Sequence, residues 1–113
     1  MNDWIKTAPL AVTVCDENGM ITEMNAKAGE TFKKHGGPNL VGSNLLDCHP
    51  EPARTRLKNM LADPATKPNA YTIDKNGVKK LIYQFAYQKD GVSAGLVELS
   101  LEIPLTMPHF IRK

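Results

Sequence analysis

Residues 78–103 read VKKLIYQFAYQKDGVSAGLVELSLEI. Two strand-length runs flank Asp90-Gly91, a dipeptide suited to the φ > 0 geometry of tight hairpin turns. In the first run Leu81, Tyr83, Phe85 and Tyr87 share one face, and Lys80, Ile82, Gln84 and Ala86 the other. In the second, Val97, Leu99 and Leu101 alternate with Leu96, Glu98 and Ser100. This alternation suits an antiparallel sheet with one face packed and one partly wet. Working outward, Asn76-Gly77 is a second hairpin dipeptide, preceded by a strand from Ala70 to Ile73. Asn18-Gly19 is a third, between strands from Leu10 to Cys15 and from Met20 to Met24. The order is therefore two strands, a middle of another kind, and three strands.

The middle reads helical in pieces. Asn25 is placed to cap a helix from Ala26 to Lys34, with Ala28 and Phe32 on one face. His35-Gly36-Gly37-Pro38 ends it. Ser43 or Asn44 caps a turn through Leu45 and Leu46. The best helix starts at Pro52, since proline suits the first helical position, and Glu51 suits the positive end of the dipole. Ala53, Leu57, Met60 and Leu61 form its apolar stripe, and Asp63-Pro64 stops it. At the front, Asp3 caps a short helix holding Trp4 and Ile5. The class that follows is α+β, with helices over one face of an antiparallel sheet.

The 113 residues make one domain, 1–113, with an N-terminal segment 1–9 and a C-terminal tail 104–113. The net charge of +2 comes from scattered lysines and arginines, so no nucleic-acid face is expected. Apolar runs fall far short of a membrane span, and no secretory leader is expected. Cys15 and Cys48 lack a C-x-x-C spacing and read as reduced thiols in a cytoplasmic protein. No phosphate loop, nucleophile elbow or H-E-x-x-H stands in the chain, so no enzyme is expected.

Three segments carry a resemblance. Val14-Cys15-Asp16-Glu17-Asn18-Gly19-Met20-Ile21, running on to Asn25-Ala26-Lys27-Ala28, resembles the opening of PAS domains. Val41-Gly42-Ser43-Asn44-Leu45-Leu46 resembles their later hydrophobic-Gly-x-x-Leu segment, and Gly91 to Val97 their final hairpin. The match spans residues 5–103 in order. It implies a five-stranded sheet of order 2-1-5-4-3, a pocket between sheet and helices, and a sensory module that binds a small ligand or dimerises and signals to a partner.

Two cofactor signatures of that family are tested residue by residue. Flavin-binding light sensors resemble Gly-x-Asn-Cys; here Gly42-Ser43-Asn44 is followed by Leu45, so the adduct cysteine is missing. Heme sensors resemble Met-Pro-Glu-Pro-x-Arg-x-x-His; here His49-Pro50-Glu51-Pro52 keeps the frame, but Leu57 replaces the ligand. Neither heme nor flavin is expected, and the cofactor stays unknown.

The pocket candidates are Leu45, Cys48, His49, Leu57, Met60, Tyr83, Phe85 and Glu98. Cys48-His49 reads either as a ligand contact, a weak metal pair or a redox thiol with lowered pKa, or as a buried thiol beside a histidine bonded to backbone. Glu98 sits among apolar residues, where a carboxylate needs a partner or water. It either lines the pocket, where it binds a polar group or pairs with His49, or lies on the surface. Tyr83 and Phe85 are pocket walls or outer-face residues covered by a partner or by the N-terminal helix. One sheet face remains apolar, so a homodimer is expected, with Trp4 and Ile5 covering that face or forming its interface. The apolar residues of the tail are expected to pack back on the domain or on a second subunit. The function expected is a PAS sensor acting through an unidentified protein partner. The alternatives are a ligand-free dimerisation module and a heme or metal sensor using His49 and Cys48.

Overall fold

The structure is a computed structural model and describes residues 1–63 and 65–113. Helix α1 spans Asp3–Lys6, followed by strands β1 (Ala11–Asp16) and β2 (Ile21–Met24). The middle holds helix α2 (Ala26–Thr31), three short 3-10 turns at Lys33–His35, Gly37–Leu40 and Leu45–Cys48, and helix α3 (Ala53–Ala62). Strands β3 (Asn69–Lys75), β4 (Val78–Lys89) and β5 (Val92–Ile103) complete the chain. One antiparallel sheet results, ordered β2-β1-β5-β4-β3.

Asn76 and Gly77 have φ of 54° and 77°, and Asp90 and Gly91 of 54° and 79°. Both hairpins therefore close with two consecutive left-handed residues, which match the twist of the strands. The first connection takes four residues, 17–20, with only Gly19 at positive φ, and Asp16 Oδ1 accepts the N–H groups of Asn18 at 2.9 Å and Met20 at 3.0 Å. Gly95, with φ of 146°, is demanded by packing: a Cβ there would stand 1.9 Å from the Cys15 carbonyl oxygen on the neighbouring strand.

Asn25 ties the front of the domain together. Its Oδ1 accepts from Ala28 N at 3.0 Å, capping α2, and from Val12 N at 2.9 Å. Its amide donates to the carbonyls of Ile5 at 2.9 Å and Leu10 at 2.8 Å. A buried asparagine thus makes all four of its bonds and joins α1, β1 and α2. Helix α2 ends at Thr31, earlier than expected, and passes into the 3-10 turn Lys33–His35, which Gly36 (φ 117°) closes. Pro52 stands just outside α3, and the Glu51 carboxylate accepts Thr55 N at 2.7 Å, filling the capping role itself. Asp63 caps the far end of α3, and Pro64, read as part of its stop, lies outside the described residues.

The core between helices and sheet consists of Cys15, Ile21, Leu45, Leu57, Met60 and Leu96. The helices cover the more polar phase of β4 and β5. Ile82, Gln84, Leu96 and Glu98 are buried, whereas Tyr83 is 37% exposed. Tyr83 and Phe85 therefore lie on the outer face, with ring centroids 6.1 Å apart. Ile5 is half-buried, and Trp4 is 70% exposed. The tail does not pack back on the domain: Leu105, Phe110 and Ile111 are 71%, 70% and 82% exposed.

Candidate functional site

Residues 42–45 run beside β2 and position the site. Gly42 N donates to Ile21 O and Ile21 N to Ser43 O, each at 2.8 Å, and Leu45 N donates to Gly19 O at 2.7 Å. Asn44 then caps the Leu45–Cys48 turn by accepting Leu46 N at 2.9 Å. This turn delivers His49 over the sheet. Arg54, the second residue of α3, fixes its backbone: Nε donates to Leu46 O at 3.0 Å and His49 O at 3.1 Å.

Below His49, one row of residues crosses the inner face of the sheet. Asn69 pairs with Gln84, Gln84 with Glu98, Glu98 with Thr13, and Thr13 with Met24. Asn69, Gln84 and Glu98 form a continuous hydrogen-bonded chain. Arg56 on α3 donates to Asn69 Oδ1. Asn69 Nδ2 donates to Gln84 Oε1 at 2.9 Å, and Gln84 Nε2 to Glu98 Oε2 at 2.8 Å. The same carboxylate oxygen lies 2.9 Å from His49 Nε2.

The protonation of His49 follows from its partners. Nδ1 lies 2.9 Å from the Leu45 carbonyl, which can only accept, so Nδ1 carries a proton. Nε2 faces the Glu98 carboxylate, and with that group ionised Nε2 must donate as well. The arrangement is an imidazolium–carboxylate pair. Burial alone lowers a histidine pKa, but the Glu98 bond, its charge and the Leu45 carbonyl together raise that of His49 above its ordinary 6.5. Within the described residues, every buried side-chain polar atom has a partner.

The pair stands at the wall of a cavity of about 460 Å³ between the sheet and the segment 31–49. Phe32, Leu40, Ile73 and Ile82 supply apolar surface, and Tyr71, Ser100, Lys75 and Lys80 polar groups. His35, Asp47 and Cys48 also line it. Burial and the charge of Glu98 push the Tyr71 phenol up. A second groove of about 520 Å³, bounded by Pro50, Pro52, Arg56 and Ala70, shares His49 and Tyr71 with the first.

The expected site residues divide accordingly. Cys48, His49 and Glu98 meet at the cavity, and Glu98 faces inward, not outward to the surface. Leu45, Leu57 and Met60 are core residues outside the cavity wall. Tyr83 and Phe85 are on the opposite side of the sheet, because the inner phase of β4 belongs to Lys80, Ile82 and Gln84. The idea of a thiol activated at a helix N-terminus fails for Cys48. It ends a 3-10 turn, and burial, Asp47 and Glu98 all raise its pKa. The metal reading fits no better. Both ring nitrogens of His49 are engaged, so iron or another metal would have to displace Leu45 O or Glu98. No cluster of three His, Cys, Asp or Glu side chains suited to a metal occurs among the described residues. Sequence reasoning missed Gln84, Asn69, Arg54, Tyr71 and the two lysines. The polar phase of β4 carried the signal for Gln84 and Lys80.

No family model and no curated protein matches the sequence. Solved structures do match. The PAS domain of BvgS from Bordetella pertussis is 20% identical with a TM-score of 0.64, covering 88% of this chain and 81% of that one. The Aer2 receptor from Vibrio cholerae, described as a dual PAS-heme oxygen sensor, is 18% identical with a TM-score of 0.63, covering 84% and 95%. A C-terminal domain from Streptococcus mutans is 19% identical with a TM-score of 0.68, covering 87% and 78%. The strand order, the helices on one face and these likenesses agree: the chain has the PAS fold.

Proposed function

We propose that the chain is a PAS-type sensory module that binds a small molecule in the sheet–helix cavity and reports its occupancy through protein contacts. The observation that carries this reading is the cavity itself. Its volume of about 460 Å³ falls within the usual range of small-ligand sites, and its wall combines apolar surface with a few convergent polar groups. The buried His49–Glu98 pair gives that wall a group that responds to a bound polar atom. The chain of bonds from Glu98 to Arg56 links the same wall to α3. The sensor named among the solved likenesses supports a signalling role. No catalytic role is proposed, and the setting proposed is cytoplasmic. Among the described residues no helix is long and apolar enough to cross a membrane.

A second reading, a ligand-free dimerisation module, is favoured by the outward apolar phase of β4 and β5 and by the exposed apolar tail. In it Trp4 and Ile5 belong to the homodimer interface. Native and denaturing mass spectra of the purified protein separate the two. A small mass retained only under native conditions supports the sensor. A bare mass at dimer size favours the interaction module.

A further inference from the structure

The charges around the cavity are segregated. With His49 protonated, it and Glu98 neutralise each other on one wall. At the β3–β4 hairpin end, Lys75 and Lys80 line the cavity from the sheet. Lys80 is half-buried on the inner face, in register with Ile73 on β3 and Glu102 on β5. Among the described residues no carboxylate lies within ion-pair distance of either lysine. Glu102 is exposed and does not line the cavity. The opposing segment contributes His35 and a single carboxylate, Asp47, on residues that are themselves exposed.

A half-buried lysine on the core face of a strand, with no carboxylate at ion-pair distance among the described residues, leaves its ammonium available to an anionic ligand. In a concave site with apolar walls its field is focused into the opening. Phe32, Leu40 and Ile82 line the rest of the cavity and offer cover to a hydrocarbon body. We propose that the ligand is a small organic acid, its carboxylate held by Lys75 and Lys80 and its apolar body lying on Phe32, Leu40 and Ile82. This inference rests on the reading of the cavity as a ligand site and adds the ligand's chemical class.

Phenylacetate, phenylacetamide and phenethylamine share one apolar body and differ in charge. Each is titrated into the isotope-labelled full chain, and the amide shifts of the cavity residues are followed by NMR. Phenylacetate is expected to shift the amides of Ile73, Ile82 and Ser100. Its affinity is expected to fall about tenfold in the Lys75→Gln, Lys80→Gln protein, two weakened ion pairs sufficing for that change, and to weaken with added salt. The single Lys75→Gln variant alters only an exposed residue and keeps the test available if the double variant fails to fold. Phenylacetamide binding as tightly as phenylacetate, or phenethylamine binding more tightly, overturns the anion assignment and leaves the cavity reading standing. No shift of cavity amides from any of the three at millimolar concentration overturns both.

Discussion

Replacing Glu98 by alanine removes one carboxylate oxygen that accepts two hydrogen bonds. Gln84, 1% exposed, loses the acceptor of its Nε2 proton. An unpaired buried donor costs about 1–3 kcal/mol. His49 loses its counter-ion, and a charge-assisted bond contributes about 1.5–3 kcal/mol. Together these give a loss of about 3–5 kcal/mol, the range seen when one partner of a buried pair is removed. For a chain of this length that corresponds to a fall in Tm of roughly 12–20 °C. Glu98→Gln keeps one acceptor oxygen, replaces the other by an amide NH2 and removes the charge, so its cost is expected to be smaller, about 1–2 kcal/mol. The assay is urea denaturation of Glu98→Ala, Glu98→Gln, His49→Gln and the double variant His49→Gln, Glu98→Gln. The cycle is expected to return a coupling of more than about 1 kcal/mol. A loss below about 1 kcal/mol in Glu98→Ala, with no coupling in the cycle, would refute the buried pair.

Two further outcomes follow from the same geometry. Because the native pKa of His49 is raised above 6.5, the pair's contribution is full below that value and fades as pH rises through the native pKa; urea midpoints across neutral pH should show this slope in the native chain and lose it in Glu98→Gln. Gly95→Ala forces a Cβ into the Cys15 carbonyl and should cost more than about 3 kcal/mol, whereas Gly91→Ala, with nothing within 4 Å of its Cβ, should cost about 1 kcal/mol; equal denaturation midpoints would contradict the packing described.

The strands could be read from the sequence because period-two alternation and left-handed turn dipeptides are local signals. Asn76-Gly77 and Asp90-Gly91 need no tertiary context to specify their turns, and the strands that flank them lie where those dipeptides put them. Asn25 likewise announced a helix cap. Its hold on α1 and β1 was hidden, because Ile5 and Leu10 reach it only through the fold.

Alternation left open which phase of β4 and β5 faces the helices. The more apolar phase, with Tyr83, Phe85, Val97 and Leu99, invites placement inside; the structure puts Gln84 and Glu98 there instead. A local rule is broken where a polar network is satisfied across the sheet, and functional sites are where such breaks are expected. The His49–Glu98 contact joins residues 49 positions apart. Nothing in their spacing distinguishes that pairing from a surface carboxylate and a histidine bonded to backbone. The C-terminal end of α2 was misjudged for a related reason. It lies where Pro38 packs against Gly29.

The most direct test of the sensory reading is a fragment screen by NMR, with every hit mapped onto the assigned amides of the full chain. Hits are expected to converge on residues around the cavity, among them Cys48, His49, Tyr71, Ile82 and Ser100. Hits that gather on the outer face around Tyr83 and Phe85, or that leave the cavity amides unmoved, would contradict that reading.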